Sequence, residues 1–93
     1  MDSQITDRQA TFFRHRYFQM SGQLMHEDEI AERFPTKWEA SKAINKLNEI
    51  SKRWGDELKQ KMEQAPDSER FSIATSGAMR KLSKDERKEV FGQ

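Results

Sequence analysis

The residues of this chain whose types invite chemistry are few. They are His15 and His26, the acidic run Glu27, Asp28, Glu29 and Glu32, and the serine-glycine pair Ser76-Gly77. His15 lies between Arg14 and Arg16. His26 precedes four acids within six residues. The separation of the two histidines matches no metal-ligand spacing, so both are expected on the surface. The four acids have the charge for a hard cation but lack the alternating ligand order of a calcium loop. They read as a solvated face or a contact surface. Ser76-Gly77 is not set in a Gly-x-Ser-x-Gly turn, and the four glycines are too scattered to cradle a phosphate. With no cysteine, disulfides, thiol chemistry and thiolate zinc sites are excluded. The expectation is a protein that is no enzyme and carries no metal or cofactor.

Charge is the next candidate for function. The chain has 17 basic and 16 acidic residues, a net charge of +1, so its total charge does not argue for nucleic acid. Its distribution says more. From Arg8 to Ser21 there are three arginines, one histidine and no acid, whereas Glu27 to Glu32 holds four acids and no base. On helices, Arg8, His15 and Arg16 would group together, with Arg14 to one side. Lys42, Lys46 and Arg53 would form a second group, with Glu49 among them. Antiparallel packing of those two helices would join the groups into one patch for phosphates. The plainer reading is the polar side of any soluble helix, with Glu49 and Arg53 as an i, i+4 pair. A helix-turn-helix is a further option, with Lys37, Trp38 and Ser41 facing bases. Its turn, Pro35-Thr36, is short for that motif, and Glu32 and Glu39 would oppose a phosphate backbone.

The elements that position these residues are helical. Thr6 and Gln9 have capping-box spacing, and Ala10, Phe13, Tyr17 and Met20 follow at helical intervals. A helix over 7–20 is predicted, ended by Ser21-Gly22, with Phe12 and Phe18 widening its apolar side. A short acidic helix over 27–34 follows, with Ile30 and Phe34 one turn apart and acids at its positive end. Pro35 stops it. Thr36 and Glu39 open the strongest signal, a stripe of Ala40, Ala43, Ile44, Leu47, Ile50, Trp54, Leu58 and Met62. That helix is predicted from 37 to about 53, with continuation to Gln64 if Gly55, worth about 1 kcal/mol against alanine, does not break it. Ala65 to Ser68 breaks the pattern, and 65–81 reads as a flexible connection that sequence alone leaves between strand, loop and loose helix. Ser83, Glu86 and Gly92 frame a short C-terminal helix, docked by Leu82, Val90 and Phe91.

The fold class that follows is all-α: a single small helical domain over 1–93 with one long central helix. Hydrophobic residues are 33% and charged residues 35%, so the core should be thin. Exposed aromatics and the long apolar stripe leave room for a homodimer. The longest apolar runs are two or three residues, far short of the roughly 20 needed to span a membrane. Met1-Asp2 does not begin a signal-like segment. The expected location is cytoplasmic.

Thr6-Asp7-Arg8-Gln9, followed by the run from Thr36 to Leu47 (TKWEASKAINKL), resembles a short helical module of phage and other mobile-element proteins. There a Thr-x-x-Gln helix precedes a Thr-x-x-Glu-Ala-Ser-x-x-Ile-x-x-Leu helix, beside recombination, replication or helicase-related sequences. The resemblance covers residues 5–50 and implies an accessory unit of nucleic-acid machinery. It implies structural roles for Thr6, Gln9, Thr36, Glu39, Ala40, Ser41, Ile44 and Leu47. The acidic segment 26–34 and the tail after Gly55 fall outside it. The function expected is a non-enzymatic accessory protein that binds a host or phage protein of nucleic-acid metabolism, as an inhibitor or regulator. Its contact would be made by Glu27, Asp28, Glu29 and Glu32. The alternative is direct DNA or RNA binding by Arg8, Arg14, Arg16, Lys42, Lys46 and Arg53.

Overall fold

A computed structural model describes residues 4–92 and is an all-α bundle of five helices. They are α1 (Asp7–Ser21), α2 (Glu27–Arg33), α3 (Lys37–Gln64), α4 (Asp67–Ala78) and α5 (Lys84–Phe91). Two of the three expected capping boxes are complete. Thr6 accepts from the Gln9 N–H while Gln9 accepts from the Thr6 N–H, and Ser83 and Glu86 do the same. Thr36 makes only half of its box, accepting from the Glu39 N–H at 3.3 Å. Its backbone is instead engaged in an antiparallel bridge with Gln4. Both α1 and α5 end on a glycine in the left-handed region, Gly22 at φ +74° and Gly92 at +72°, a conformation costly for any side chain with a Cβ.

The core gathers the apolar stripes. Ala10, Phe13, Tyr17 and Met20 of α1 pack against Ala40, Ala43, Leu47 and Ile50 of α3, with Ile30 and Phe34 closing one end. Phe13, Ile30, Leu47 and Ile50 are the largest fully buried side chains. The alanines keep the helix surfaces low where α1 crosses α3. Phe91 of α5 completes an aromatic cluster, stacked on Phe34 at 5.8 Å and edge-on to Tyr17 at 5.4 Å and Phe13 at 6.2 Å. Such pairs add about 0.5–1.5 kcal/mol each beyond the area they bury. Phe12 and Phe18, which widen the apolar side of α1 in sequence, stay exposed at 44% and 50%. They lie away from the stripe that faces α3.

The order of contacts along the helices sets their directions. Gln9, in the first turn of α1, bonds Lys37 and Ser41 in the first turns of α3. At the other end the Leu82 N–H donates to the Met20 carbonyl at 2.7 Å, and Glu86 of α5 meets Trp54 of α3. Thus α1 and α3 start side by side, and α5 runs back along α3.

Gly55 does not interrupt α3, which continues to Gln64. The stretch 65–81, for which strand, loop and loose helix were all open, contains α4. This helix folds back on the distal half of α3 to make a two-helix arm, part of a molecule 55 Å long and 23 × 19 Å across. No residue of α4 is buried. It packs closely on α3 at Gly77, where an added Cβ would lie 2.8 Å from Leu58 Cδ1. Among the described residues no helix is long and apolar enough to cross a membrane.

Candidate interaction surface

The buried residues are all apolar; no polar or charged side chain is buried among the described residues, and none of the described residues form a cluster able to hold a metal ion. Chemistry-bearing side chains therefore sit on the surface, including both histidines. His26 stands at the N-cap of α2 without a side-chain capping bond.

The two halves of the Thr-x-x-Gln and Thr-x-x-Glu-Ala-Ser pattern meet through Gln9. Its Oε1 accepts from the Thr6 N–H at 3.1 Å. Its Nε2 donates to the Lys37 carbonyl at 3.2 Å and to Ser41 Oγ at 3.1 Å. One side chain thus caps α1 and pins the start of α3. Ser41 is engaged in that contact, whereas Trp38 is 77% exposed. Instead of packing closely on α3 like the first helix of a helix-turn-helix, α2 packs mainly on α1.

The acidic residues are displayed. Asp28, Glu29 and Glu32 share the face of α2 opposite buried Ile30 and are exposed. They make no ion pair among the described residues. Glu27 is held by Arg14 at 3.5 Å, across to α1. This contact removes Arg14 from the basic group expected on α1.

The other basic candidates divide. Arg8 lines a shallow hollow with Thr11, Phe12 and His15, and Arg16 lies 5.9 Å from the Phe12 ring centroid. Lys42 and Lys46 border a different groove, with Phe34, Glu39, Ala43, Glu89 and Val90, on the side of α3 that faces α5. Arg53 is on that side too, 3.8 Å from Glu89. Lys46 pairs with Glu49 at 3.2 Å. The Glu49–Arg53 pair expected from i, i+4 spacing does not form, because each partner has a closer opposite charge. A single patch required α1 and α3 to be antiparallel. Their side-by-side starts leave the two groups on separate surfaces, and acids interrupt the α3 group.

Sequence reasoning missed the junction at Trp54. The indole N–H donates to Glu86 Oε2 at 2.8 Å, and the Arg80 guanidinium lies 4.8 Å from the Trp54 ring centroid. Arg80 also binds Glu57 at 2.6 Å and approaches Glu86 at 3.8 Å. Burial pushes the Glu86 carboxyl up. Hydrogen bonds from the Ser83 backbone, the Trp54 indole and the Ser83 hydroxyl, with the Arg80 charge, outweigh it and hold the group below its ordinary value. This junction ties α3, the link after α4, and α5 together.

A second missed feature is the sorting of charge around α5. Glu86 and Glu89 turn toward α3 and Arg80. Lys84, Arg87 and Lys88 fall on the other side and line a cleft of about 420 Å³. Its remaining walls are Gln23, Leu24 and Met25 of the α1–α2 connection, Glu29 and Arg33 of α2, and Tyr17 and Phe91 beneath. The signal was present in the 84–88 run KDERK, but its mixed signs sort only when wound at 3.6 residues per turn and paired across to α3.

Comparison of the chain with protein-family models, with curated proteins and with solved structures returned no match.

Proposed function

We propose that this chain is a non-enzymatic accessory protein of phage or mobile-element type that docks onto a protein component of nucleic-acid machinery, as an inhibitor or regulator. The observation that carries this reading is the outward face of α2. Asp28, Glu29 and Glu32 stand together there without internal partners among the described residues. They sit on a body in which no charged side chain is buried among the described residues. Unpaired acids kept together on one face suit a basic partner surface, steering its approach and setting its register. The acids that cut the basic group of α3, Glu39, Glu49 and Glu89, favour a protein over a phosphate backbone on that side. The α1–α3 pair pinned by Gln9 supplies the rigid support such a face needs. We place the protein in the cytoplasm, where that machinery works. Exposed Phe12, Phe18 and Phe71 leave a homodimer within this reading.

The test is capture of partners from infected or expressing cells with the native chain and with the double reversal Glu29→Lys/Glu32→Lys. Both positions are exposed, so the variant is expected to fold and to lose the partner. A folded double reversal that keeps the partner at full affinity refutes the acidic-face assignment. A second reading, direct nucleic-acid binding, draws on the cationic side of α5 rather than on the separated groups of α1 and α3.

A further inference from the structure

We infer that the cleft between α5 and the α1–α2 connection binds the backbone of single-stranded nucleic acid. The inference rests on the second reading above and names its site. Four cations border the cleft, Lys84, Arg87 and Lys88 along one wall and Arg33 at its end, against one carboxylate, Glu29. None of the four is in an ion pair among the described residues. Two of the three acids of α5 are committed elsewhere, Glu86 to Trp54 and Arg80 and Glu89 to Arg53, while Asp85 is exposed and in no ion pair among the described residues. The positive side of α5 is thus left over by the packing of its negative side. Lys84 and Lys88 are one helical turn apart, about 6 Å along the axis. That step suits successive phosphates of an extended strand. Arg33 lies with its guanidinium 4.8 Å from the Phe91 ring centroid, which restricts a flexible side chain and leaves fewer rotamers to lose on binding.

The lining favours a single strand, whose bases are free to meet it, over a duplex, whose bases are stacked away inside. The wall opposite the cations displays Leu24, exposed at 66%, beside Gln23 and Glu29, with Tyr17 and Phe91 beneath. Cations on one side and the exposed apolar Leu24 on the other match the two halves of a nucleotide, its phosphate and its base. An extended acidic peptide has use for the first wall alone.

The experiment is fluorescence anisotropy of the full chain with a labelled oligothymidylate of about twelve nucleotides, at salt from about 50 to 200 mM. The variant Lys84→Gln/Arg87→Gln/Lys88→Gln breaks no internal ion pair and is checked for native helicity by circular dichroism. It is expected to bind at least about tenfold more weakly, with the slope of log K against log salt reduced by about 2, near 0.7 per lost cation. Leu24→Ser is expected to weaken binding while leaving that slope unchanged. Arg8→Gln/Lys42→Gln, on the other surfaces, is expected to match the native chain. Equal binding by the triple variant overturns the inference, as does no binding by the native chain at low salt. Tighter binding of a duplex of the same length overturns it too. Displacement of the oligonucleotide by an equal concentration of polyglutamate assigns the cleft to an acidic protein segment and overturns it likewise. These failures leave the α2 reading standing, and because Glu29 also lines the cleft, that reading is separated from this one by Asp28→Lys/Glu32→Lys, whose positions lie outside it.

Discussion

Replacing Gly55 by alanine should stabilise this protein. Gly55 lies well inside α3 and is exposed, and a Cβ built there meets nothing within 4 Å. No clash offsets the gain from removing the backbone freedom glycine has when unfolded. In an exposed helix interior that gain is about 0.8–1 kcal/mol. For a chain of this size 1 kcal/mol moves the midpoint of thermal unfolding by about 4–8 °C. The assay is a thermal melt followed by circular dichroism, with urea unfolding alongside to show an unchanged m-value. Gly55→Pro is the opposing arm, expected to cost about 3 kcal/mol by removing an intrahelical bond and crowding the preceding turn. A lower melting temperature for Gly55→Ala would refute the reasoning. It would mean that residue 55 needs a conformation alanine resists, that α3 is broken there, and that the arm is not a direct extension of the body.

Two further outcomes are expected. Gln9→Ala removes the α1 capping-box acceptor and both donations to α3, so it should cost about 1–2 kcal/mol in urea unfolding. Gln9→Glu keeps the acceptor but sets a carboxylate against the Lys37 carbonyl, and should lose at least part of that stability. The contribution of Glu86 should depend on pH, because its folded-state carboxyl sits below the ordinary value. Its stabilisation is fully present above the unfolded value, about 4.3, and is lost as pH falls through the lower folded value. Glu86→Gln should therefore be less stable than the native chain near neutrality by about 1–2 kcal/mol. The gap should close in acid, and a gap that stays constant from pH 7 to about pH 3 would contradict the Trp54–Glu86 account.

What could be read from the residues follows from where each signal is stored. Thr6, Ser83, Gly22 and Gly92 act on backbone groups a few residues away, so their caps and stops are local and legible. The α1 and α3 stripes are legible because burial repeats at helical spacing, and Ala10, Phe13, Tyr17, Met20, Ala40, Ala43, Leu47 and Ile50 are the residues buried. α4 was not legible as a helix. Its N-cap, Pro66, makes no side-chain bond, and none of its residues is buried. Its hold on α3 uses a glycine fitted against Leu58, which leaves no apolar period to detect. Half of the Thr36 box is not made, and Thr36 lies instead in a backbone bridge with Gln4, a pairing between segments distant in sequence that its spacing to Glu39 does not announce. Charge partners were the least legible. Arg53 chooses Glu89, Arg14 chooses Glu27 and Glu86 chooses Trp54, all across distances in sequence that i, i+4 reasoning does not reach.

The one-sided seat of α4 has a mechanical consequence. A helix with no fully buried side chain exposes only the half-buried Ile73 and the Gly77–Leu58 contact when it lifts away, so its local opening costs less than unfolding the whole chain. α5 would stay in place during such an excursion, because the Leu82 bond to Met20 and the Trp54–Glu86 contact clamp it to the body. The molecule therefore has a stiff end and a compliant end joined by the single rod of α3, and hydrogen exchange should fade along that rod from Leu47 toward Gln64.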